Sequence, residues 1–320
     1  MKSSLHFFVH IPKTAGTSFR LAAEREFCRE RVVYDYGPQS PVTSDCIQQH
    51  LYGEGEEDKS ALYAHCLRQG VKLIAGHRPV TRFLEGVGVA NIITFVREPL
   101  ARVFSQYLHF KRHHGFEGTF HEFFSEPARQ NAQAKMLLGV PPQALGFVGI
   151  TEHYRQSLRM INSLYGWRLG RKHANRSGFF APGPNGVAEE EQALFYEVNN
   201  DDVALYREMC WLFDIRRALA AQSQPFAHAQ MKVVDGGQIL GWAWWAEPVD
   251  EPVRIEVCVN GVSAMTVTAD GPHEGWGSSG APEHGRVAFA ANLGARPGDR
   301  INCRVAQTGQ PVGPELAITA

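Results

Sequence analysis

The hydrophobic pattern of the chain changes near residue 220, and this change limits the possible folds more than any other feature of the sequence. Before it, short apolar runs such as LHFFVH, VKLIAGH and NIITFVRE alternate with segments of helical periodicity. This alternation is typical of parallel strands joined by crossover helices. After about Phe226, short alternating runs lie between Gly, Pro, Asp and Asn turns, which indicates a small antiparallel sandwich. The predicted fold is therefore α/β, with a parallel sheet flanked by helices, followed by a small all-β domain.

The length of the chain also favours two domains. Its 320 residues exceed the size at which a single hydrophobic core usually stops growing. We predict a first domain over residues 1–221 and a β-sandwich accessory domain over 226–320, joined near LAAQSQPFAH. A helix over NNDDVALYREMCWLFD closes the first domain in this interpretation. Its predicted inward stripe consists of Val203, Tyr206, Cys210 and Phe213.

Charge and composition argue against several classes of protein. The formal net charge of -1 favours neither a nucleic acid partner nor an anionic membrane, so an anion site must be local. No run of about eighteen apolar residues occurs, and the apolar N-terminal run is broken by His and ended by Pro. We therefore predict neither a membrane span nor a signal peptide. The six cysteines are scattered without a CxxC pair, which indicates reduced thiols and a cytoplasmic location.

The segment FFVHIPKTAGTSFR has the pattern of a strand, a loop and the start of a helix. Amide groups at a helix N-terminus point at a bound anion, and the helix dipole favours negative charge there. Lys13 adds a full positive charge, while Thr14, Thr17 and Ser18 add hydroxyl donors suited to phosphate oxygens. A Walker A loop places Lys after its second Gly, but Lys13 precedes the only Gly of this loop, Gly16. A triphosphate loop is thus disfavoured, and an ordinary turn with an exposed Lys13 is the alternative.

A second segment, VREPLARVFSQYLHFKRHHG, predicts a strand end followed by a helix. Pro99 suits a first helical position and Gly115 supplies a stop. This places Arg97 at the strand end and Ser105 about two turns into the helix. The Arg97 guanidinium offers a bidentate fork to a phosphate, and Ser105 faces back toward the strand end. Taken alone, the segment also fits an Arg at a sheet edge beside an ordinary amphipathic helix.

Together these two segments resemble a known family. HIPKTAGTS resembles the 5′-phosphosulfate-binding loop of PAPS-dependent sulfotransferases, especially the carbohydrate sulfotransferases related to the heparan sulfate 2-O-sulfotransferase. VREPLARVFSQY is similar to the family's 3′-phosphate-binding element, in which an Arg and a Ser eight residues later grip the phosphate. The resemblance covers about residues 5 to 215 and implies that the parallel sheet of the first domain is P-loop-like. It implies that the donor PAPS is bound by Lys13, Thr14, Ala15, Gly16, Thr17, Ser18, Arg97 and Ser105.

A third segment, LIAGHRPV, resembles the family's strand-end Gly-His that carries the general base. An acceptor hydroxyl must lose its proton as it attacks sulfur, and an imidazole that titrates near neutral pH suits that task. The resemblance implies that His77 is this base. Without the other two segments, a structural histidine would be the better interpretation of His77.

The resemblance implies in-line transfer of a sulfuryl group from PAPS to a hydroxyl of an acceptor, leaving 3′,5′-ADP, and it favours a carbohydrate as the acceptor. Lys13 would then neutralise charge on the leaving phosphate oxygen. No metal is implied. Basic residues that could bind a polyanionic glycan, or simply form solvated surface, are Lys111, Arg112, Arg168, Arg171 and Lys172.

Other features of the sequence leave their interpretation open. FVGITEHYRQSL and RKHANRS resemble family segments near the active site, but they assign no role to Glu152, Arg155 or Asn175. His109 and His113 lie four residues apart, yet no HExxH glutamate or Cys is near them, so a solvated helix surface is favoured over zinc. The aromatic residues that could be sugar platforms or core are Trp242, Trp244, Trp245 and Trp276.

Two other functions remain possible at this stage. A P-loop kinase or nucleotidase fits the fold class, although the missing GK[ST] order disfavours it. A non-catalytic sugar-binding protein with a vestigial PAPS site is the second alternative. The complete set of Lys13, His77, Arg97 and Ser105 argues against that alternative.

Overall fold

The computed structural model of the protein describes residues 5–170, 186–234, 237–273, 285–294 and 296–318. The chain forms two compact units. The first comprises the chain up to Val87, together with Asn91–Pro142 and Phe147–Trp211; the second comprises Gly88–Ala90, Gln143–Gly146 and the chain from Leu212 onward. We predicted two domains that meet between residues 221 and 226. That these two parts of the chain fold independently stays a prediction.

A five-stranded parallel sheet forms the centre of the first unit. Its strand order is β2-β3-β1-β4-β5. Every residue of the first four strands is buried, as expected where helices cover both faces of a parallel sheet. The strands are β1 (His6–Val9), β2 (Val32–Asp35), β3 (Leu73–Gly76), β4 (Ile92–Val96) and β5 (Phe147–Ile150).

Helices connect and flank these strands. They are α1 (Gly16–Phe27), α2 (Asp45–Leu51), α3 (Lys59–Arg68), α4 (Leu84–Val87), α5 (Pro99–His113), α6 (Phe120–Ser125), α7 (Ala132–Leu137), α8 (Tyr154–Tyr165), α9 (Glu189–Val198) and α10 (Asn200–Ala221). α5 begins at Pro99 and ends before Gly115, as the sequence predicts. The Glu98 carboxylate caps it by accepting hydrogen bonds from the Leu100 and Ala101 amides.

The strand order places a crevice between β1 and β4. From β1 the chain passes to β2 and β3 on one side, whereas from β4 it passes to β5 on the other. Open parallel sheets bind ligands at the carboxyl ends of the strands where the order reverses in this way. The loops that follow Val9 and Val96 therefore border the expected binding site.

α10 buries a different stripe from the one predicted. Val203, Tyr206 and Cys210 are only half-buried. The buried residues of its first four turns are Asp202, Leu205, Met209 and Phe213. The register is shifted because Asp202, a residue that the hydrophobic pattern treats as solvent-facing, accepts hydrogen bonds from the Gln133 and Ala134 amides.

Two antiparallel sheets in the second unit confirm the predicted all-β part of the fold. One sheet has the order β10-β11-β7-β6 and the other β13-β12-β8-β9. Ile239 and Phe289 of the first sheet and Ile255 and Ile301 of the second belong to one buried cluster, so the sheets form a sandwich. The strands are β6 (Ala227–Val234), β7 (Gln238–Trp245), β8 (Arg254–Val259), β9 (Val262–Thr268), β10 (Gly271–Pro272), β11 (Arg286–Asn292), β12 (Arg300–Val305) and β13 (Leu316–Ala317).

The tryptophans of β7 lie on both faces of the strand, and neither face is fully open to solvent. Trp245 packs against the sandwich core and its Nε1 donates to the Glu251 carbonyl at 2.8 Å. Trp242 and Trp244 are on the other face, stacked with ring centroids 4.6 Å apart, and at most 5% exposed. Because both rings are buried, neither offers an open face on which a sugar could stack. Trp276 lies outside the described residues.

No helix in the described part of the chain is long and apolar enough to cross a membrane. All six cysteines lie in the described ranges, and none is paired in a disulfide.

Candidate functional site

The loop between β1 and α1 forms a concave surface lined by backbone amides. Lys13 and Ala15 have φ values of 70° and 68°, so the backbone adopts the left-handed region twice within three residues. Such turns direct successive N–H groups into one concavity. The α1 N-terminus has no side-chain cap and no acidic residue in its first turn. Its amides and its dipole therefore favour an anion at this position.

The hydroxyls of the loop divide into two groups. Thr14 is fully buried and its Oγ1 donates to the Ile11 carbonyl at 2.9 Å, so this side chain stabilises the loop and does not line the cleft. Thr17 and Ser18 line the cleft. Within the described ranges, no protein group forms a hydrogen bond with either hydroxyl. Both are therefore available to a ligand.

Gly16 is required by the close approach of an imidazole. A Cβ at this position would lie 2.0 Å from Cδ2 of His10. His10 is only 7% exposed, and its ring also contacts Phe8 at a centroid distance of 5.6 Å. The glycine thus allows an imidazole to lie against the first residue of α1.

Arg97 is held at the end of β4 by its own backbone. Its N–H donates to Oε1 of Gln133, and Nε2 of Gln133 donates to its carbonyl, both at 2.9 Å. Its guanidinium donates from Nη1 to the Lys13 carbonyl at 3.2 Å. The β4 end is therefore tied to the β1 loop, although the two are more than eighty residues apart in sequence.

These elements enclose one cleft of about 170 Å³. Eight of the residues that line it come from the two predicted donor segments or directly precede them, and the β5 end contributes the other two. The lining residues are His10, Lys13, Ala15, Gly16, Thr17, Ser18, Arg97, Ser105, Thr151 and Glu152. Ser105 lies within α5, and its hydroxyl has no protein partner in the ranges that the structure covers.

The charges of the cleft favour an anion. Burial lowers the pKa of Lys13, and the nearby guanidinium groups of Arg97 and Arg112 lower it further. Burial also lowers the pKa of Arg97, partly offset by Glu152 and Glu98. The Glu152 carboxylate is oriented by the Glu98 amide, which donates to Oε1 at 3.0 Å. Lys13 has no ion pair in the described part of the chain. An anionic ligand would therefore reduce the mutual repulsion of these cations.

His77 lies beside the cleft but does not line it. Its Nδ1–H donates to the His10 carbonyl at 2.5 Å, and the two imidazole rings are 4.4 Å apart. Because a carbonyl only accepts, the proton is on Nδ1 and Nε2 of the neutral ring carries the lone pair. Burial lowers the pKa of His77, and Arg20 and Arg78 lower it further, partly offset by the bond to His10. Although neighbouring groups surround the ring closely enough to lower its pKa, the residue keeps solvent exposure beside the two predicted donor segments.

Comparisons with known proteins provide little beyond this geometry. No protein-family model matches the chain, and no curated protein matches it. A solved structure titled as a sulfotransferase from Alicyclobacillus acidocaldarius is similar to it, with a TM-score of 0.33 and 16% sequence identity. The match covers 63% of this chain and 98% of that chain. So distant a likeness carries no argument about activity.

Three structural contributors were not assigned from the sequence. His10 is the first residue of the quoted motif HIPKTAGTS, and this place in the motif was the available signal. Gln133 of α7 forms hydrogen bonds with both the N–H and the carbonyl of Arg97. The buried Asp202 carboxylate of α10 in turn accepts a hydrogen bond from the Gln133 amide. No local pattern indicates either residue, because both act across more than thirty residues of sequence.

The residues whose roles the sequence left open differ in their relation to the cleft. Glu152 lines the cleft, whereas Arg155 does not. Asn175, Arg171 and Lys172 lie outside the described residues. Among the residues that are described, no group of three or more His, Cys, Asp and Glu side chains is arranged to hold a metal ion.

Proposed function

We propose that this protein is a PAPS-dependent sulfotransferase that transfers a sulfuryl group to a hydroxyl of a carbohydrate acceptor. The observation that carries the proposal is the convergence of two anion-binding groups of residues on one cleft. Lys13 and the α1 N-terminus form one group, and Arg97 with Ser105 forms the other. A ligand with two separate phosphate positions, such as 3′,5′-ADP or PAPS, fits that arrangement.

The hydrogen-bond donors that line the cleft support separate roles for the two groups of residues. Lys13, the loop amides and the Thr17 and Ser18 hydroxyls would hold the 5′-phosphosulfate. Arg97 and Ser105 would hold the 3′-phosphate and orient the donor. The hydrogen bond from Arg97 to the Lys13 carbonyl supports this division, because it fixes the distance between the two groups.

The proposed reaction is an in-line displacement at sulfur. The acceptor oxygen forms a bond to sulfur, and the bond from sulfur to the phosphate oxygen breaks with its electron pair left on phosphate. Nε2 of His77 takes the hydroxyl proton. Lys13 offsets the negative charge that builds up on the leaving phosphate.

A carbohydrate acceptor is proposed from the resemblance of the sequence motifs and from surface charge beside the cleft. Lys111 and Arg112 of α5 are exposed and form no ion pair within the ranges described. Arg112 is near enough to Lys13 to lower its pKa. These cations could contact an acceptor that carries carboxylate or sulfate groups.

Ligand binding separates the proposal from its rivals. 3′,5′-ADP at a hundred times its dissociation constant should stabilise the protein by about 2.7 kcal/mol. 5′-AMP and ATP with Mg²⁺ at the same concentrations should stabilise it less, because 5′-AMP lacks the 3′-phosphate and the loop lacks the Walker A order. A larger thermal shift with ATP would favour a kinase.

The transfer assay uses [³⁵S]PAPS with a panel of neutral, uronate-containing and sulfated saccharides. Binding of 3′,5′-ADP without transfer to any of these saccharides would favour the vestigial-site alternative.

A further inference from the structure

We propose that His10 is a second catalytic imidazole, which donates a hydrogen bond from Nε2 to the phosphosulfate group during transfer. This inference rests on the proposed function. It gives His10 a role opposite to that of His77, since one ring donates to the leaving group and the other accepts the proton of the incoming hydroxyl.

The first support is the position of the ring edge. His10 lines the cleft, and its Cδ2 and Nε2 atoms face Gly16. A Cβ on Gly16 would lie 2.3 Å from Nε2, so this nitrogen lies beside the first residue of the anion-binding helix. Among the described residues, no protein group forms a hydrogen bond with Nε2, and this nitrogen is not one of the fully buried atoms.

The second support is the tautomer that the surroundings favour. Nδ1 of His10 lies 2.7 Å from the Tyr36 hydroxyl. The Arg20 guanidinium is near the same hydroxyl, and its positive charge acts to lower the pKa of Tyr36 against the larger opposite effect of burial. A cation on this side favours a Tyr36 hydroxyl whose lone pairs face Arg20 and whose O–H donates to Nδ1 of His10. With Nδ1 as an acceptor, the proton of the neutral ring is on Nε2, the edge that faces the loop.

The third support is the neutral state of both rings. Burial, together with the nearby His77 and Arg20, holds the pKa of His10 well below its ordinary value. A neutral imidazole can act as a hydrogen-bond donor to developing negative charge. His77 has the opposite tautomer, because its Nδ1–H donates to the His10 carbonyl and leaves Nε2 as the acceptor. Two rings 4.4 Å apart thus present one N–H and one lone pair.

His10 transfers no proton in this scheme. The acceptor proton goes to Nε2 of His77, and the electron pair of the broken bond stays on the phosphate oxygen. The hydrogen bond from His10 strengthens as that oxygen gains charge, and a donor placed in this way lowers the barrier more than it stabilises the bound substrate.

Two substitutions separate this role from a structural one. In His10→Gln the side-chain amide nitrogen can reach the position of Nε2, whereas in His10→Asn it reaches only that of Nδ1. The measurement is the single-turnover rate of [³⁵S]PAPS with the best saccharide of the panel and, without saccharide, with water. His10→Asn should be slower by about 10²–10³-fold, and His10→Gln should stay within about tenfold of the wild-type rate.

The opposite order of the two variants would overturn the inference, since it would mean that only the contact with Tyr36 matters. Tyr36→Phe, which removes the control of the tautomer, should slow transfer while affinity for 3′,5′-ADP is retained; an unchanged rate would also contradict the inference. Thermal unfolding checks that each variant folds. If the wild-type protein transfers sulfuryl groups and every variant transfers them at the same rate, only the role of His10 is overturned. A wild-type protein that transfers none from PAPS would overturn the proposed function and, with it, this inference.

Discussion

The guanidinium of Arg97 donates a hydrogen bond to the backbone carbonyl of Lys13, and this bond joins the end of β4 to the loop after β1. It uses one nitrogen of the guanidinium. The other nitrogen donors have no partner in the described part of the chain, so they remain available to a ligand. Arg97 therefore positions the loop and can bind an anion with the same side chain.

Replacing Arg97 with Ala should weaken binding of 3′,5′-ADP more than binding of 5′-AMP. Hydrogen bonds to charged groups contribute about 1.5–3 kcal/mol, so a loss of roughly 10- to 150-fold in affinity for 3′,5′-ADP is expected. Calorimetric titration of both ligands measures the difference. Arg217→Ala, which removes an exposed arginine paired with Asp214, is the matched control. An equal loss of affinity for both ligands would mean that Arg97 does not bind the 3′-phosphate.

Gly16→Ala should destabilise the loop and reduce ligand affinity together. The new methyl group would lie 2.0 Å from Cδ2 of His10, and overpacking of this kind typically costs about 1–3 kcal/mol. The control is Gly170→Ala, because no described atom lies within 4 Å of a Cβ at that position. Chemical denaturation and 3′,5′-ADP titration are the measurements. A Gly16→Ala protein as stable as the control would show that the His10 ring can move aside freely.

The transfer rate should depend on pH through His77. As a general base His77 must be neutral, and burial lowers its pKa from the ordinary value of 6.5. The rate should therefore be constant above about pH 6.5 and should fall only at lower pH, where the imidazole becomes protonated. His77→Asn should reduce transfer by about 10²–10⁴-fold and remove this dependence. His121→Asn, at an exposed position of α6, should change neither. Near-normal transfer by His77→Asn would exclude His77 as the base.

His228 should make the second unit acid-sensitive. Its ring is 3% exposed, and burial, together with the nearby Arg216, lowers its pKa to about 3. Between pH 6.5 and 3 the unfolded chain binds this proton and the folded chain does not, so stability falls as pH falls. The loss is about 1.4 kcal/mol per pH unit from this residue.

His228→Asn tests that contribution, because asparagine does not titrate and its amide nitrogen can take the place of Nδ1, which lies 2.8 Å from the Gln143 carbonyl. Urea denaturation of the full chain between pH 7.5 and 4.5 should show a smaller dependence on pH in the variant. Identical pH dependence in both proteins would mean that His228 is protonated in the folded state.

Local patterns in the sequence were sufficient for the fold class and for the order of strand, loop and helix in the two predicted donor segments. Short apolar runs predicted the buried strands β1, β3 and β4 of the parallel sheet, and the alternating runs predicted the sandwich, because periodicity within a strand reflects which of its faces is covered. Likewise Pro99 and Gly115 marked the limits of α5, since both residues act on the backbone next to them. The order of residues around Lys13 also pointed to a loop unlike Walker A.

Only the tertiary structure decided how these segments act together. It turned the Thr14 hydroxyl into the loop, brought Gln133 to both sides of the Arg97 backbone, and placed His10 between Gly16 and His77. It also shifted the buried stripe of α10, because Asp202 is buried where it accepts two backbone hydrogen bonds from α7. These contacts mostly join residues far apart in the chain, and the partner of a polar side chain is set by which groups the fold brings within hydrogen-bonding distance. Hydrophobic periodicity carries no information about that choice.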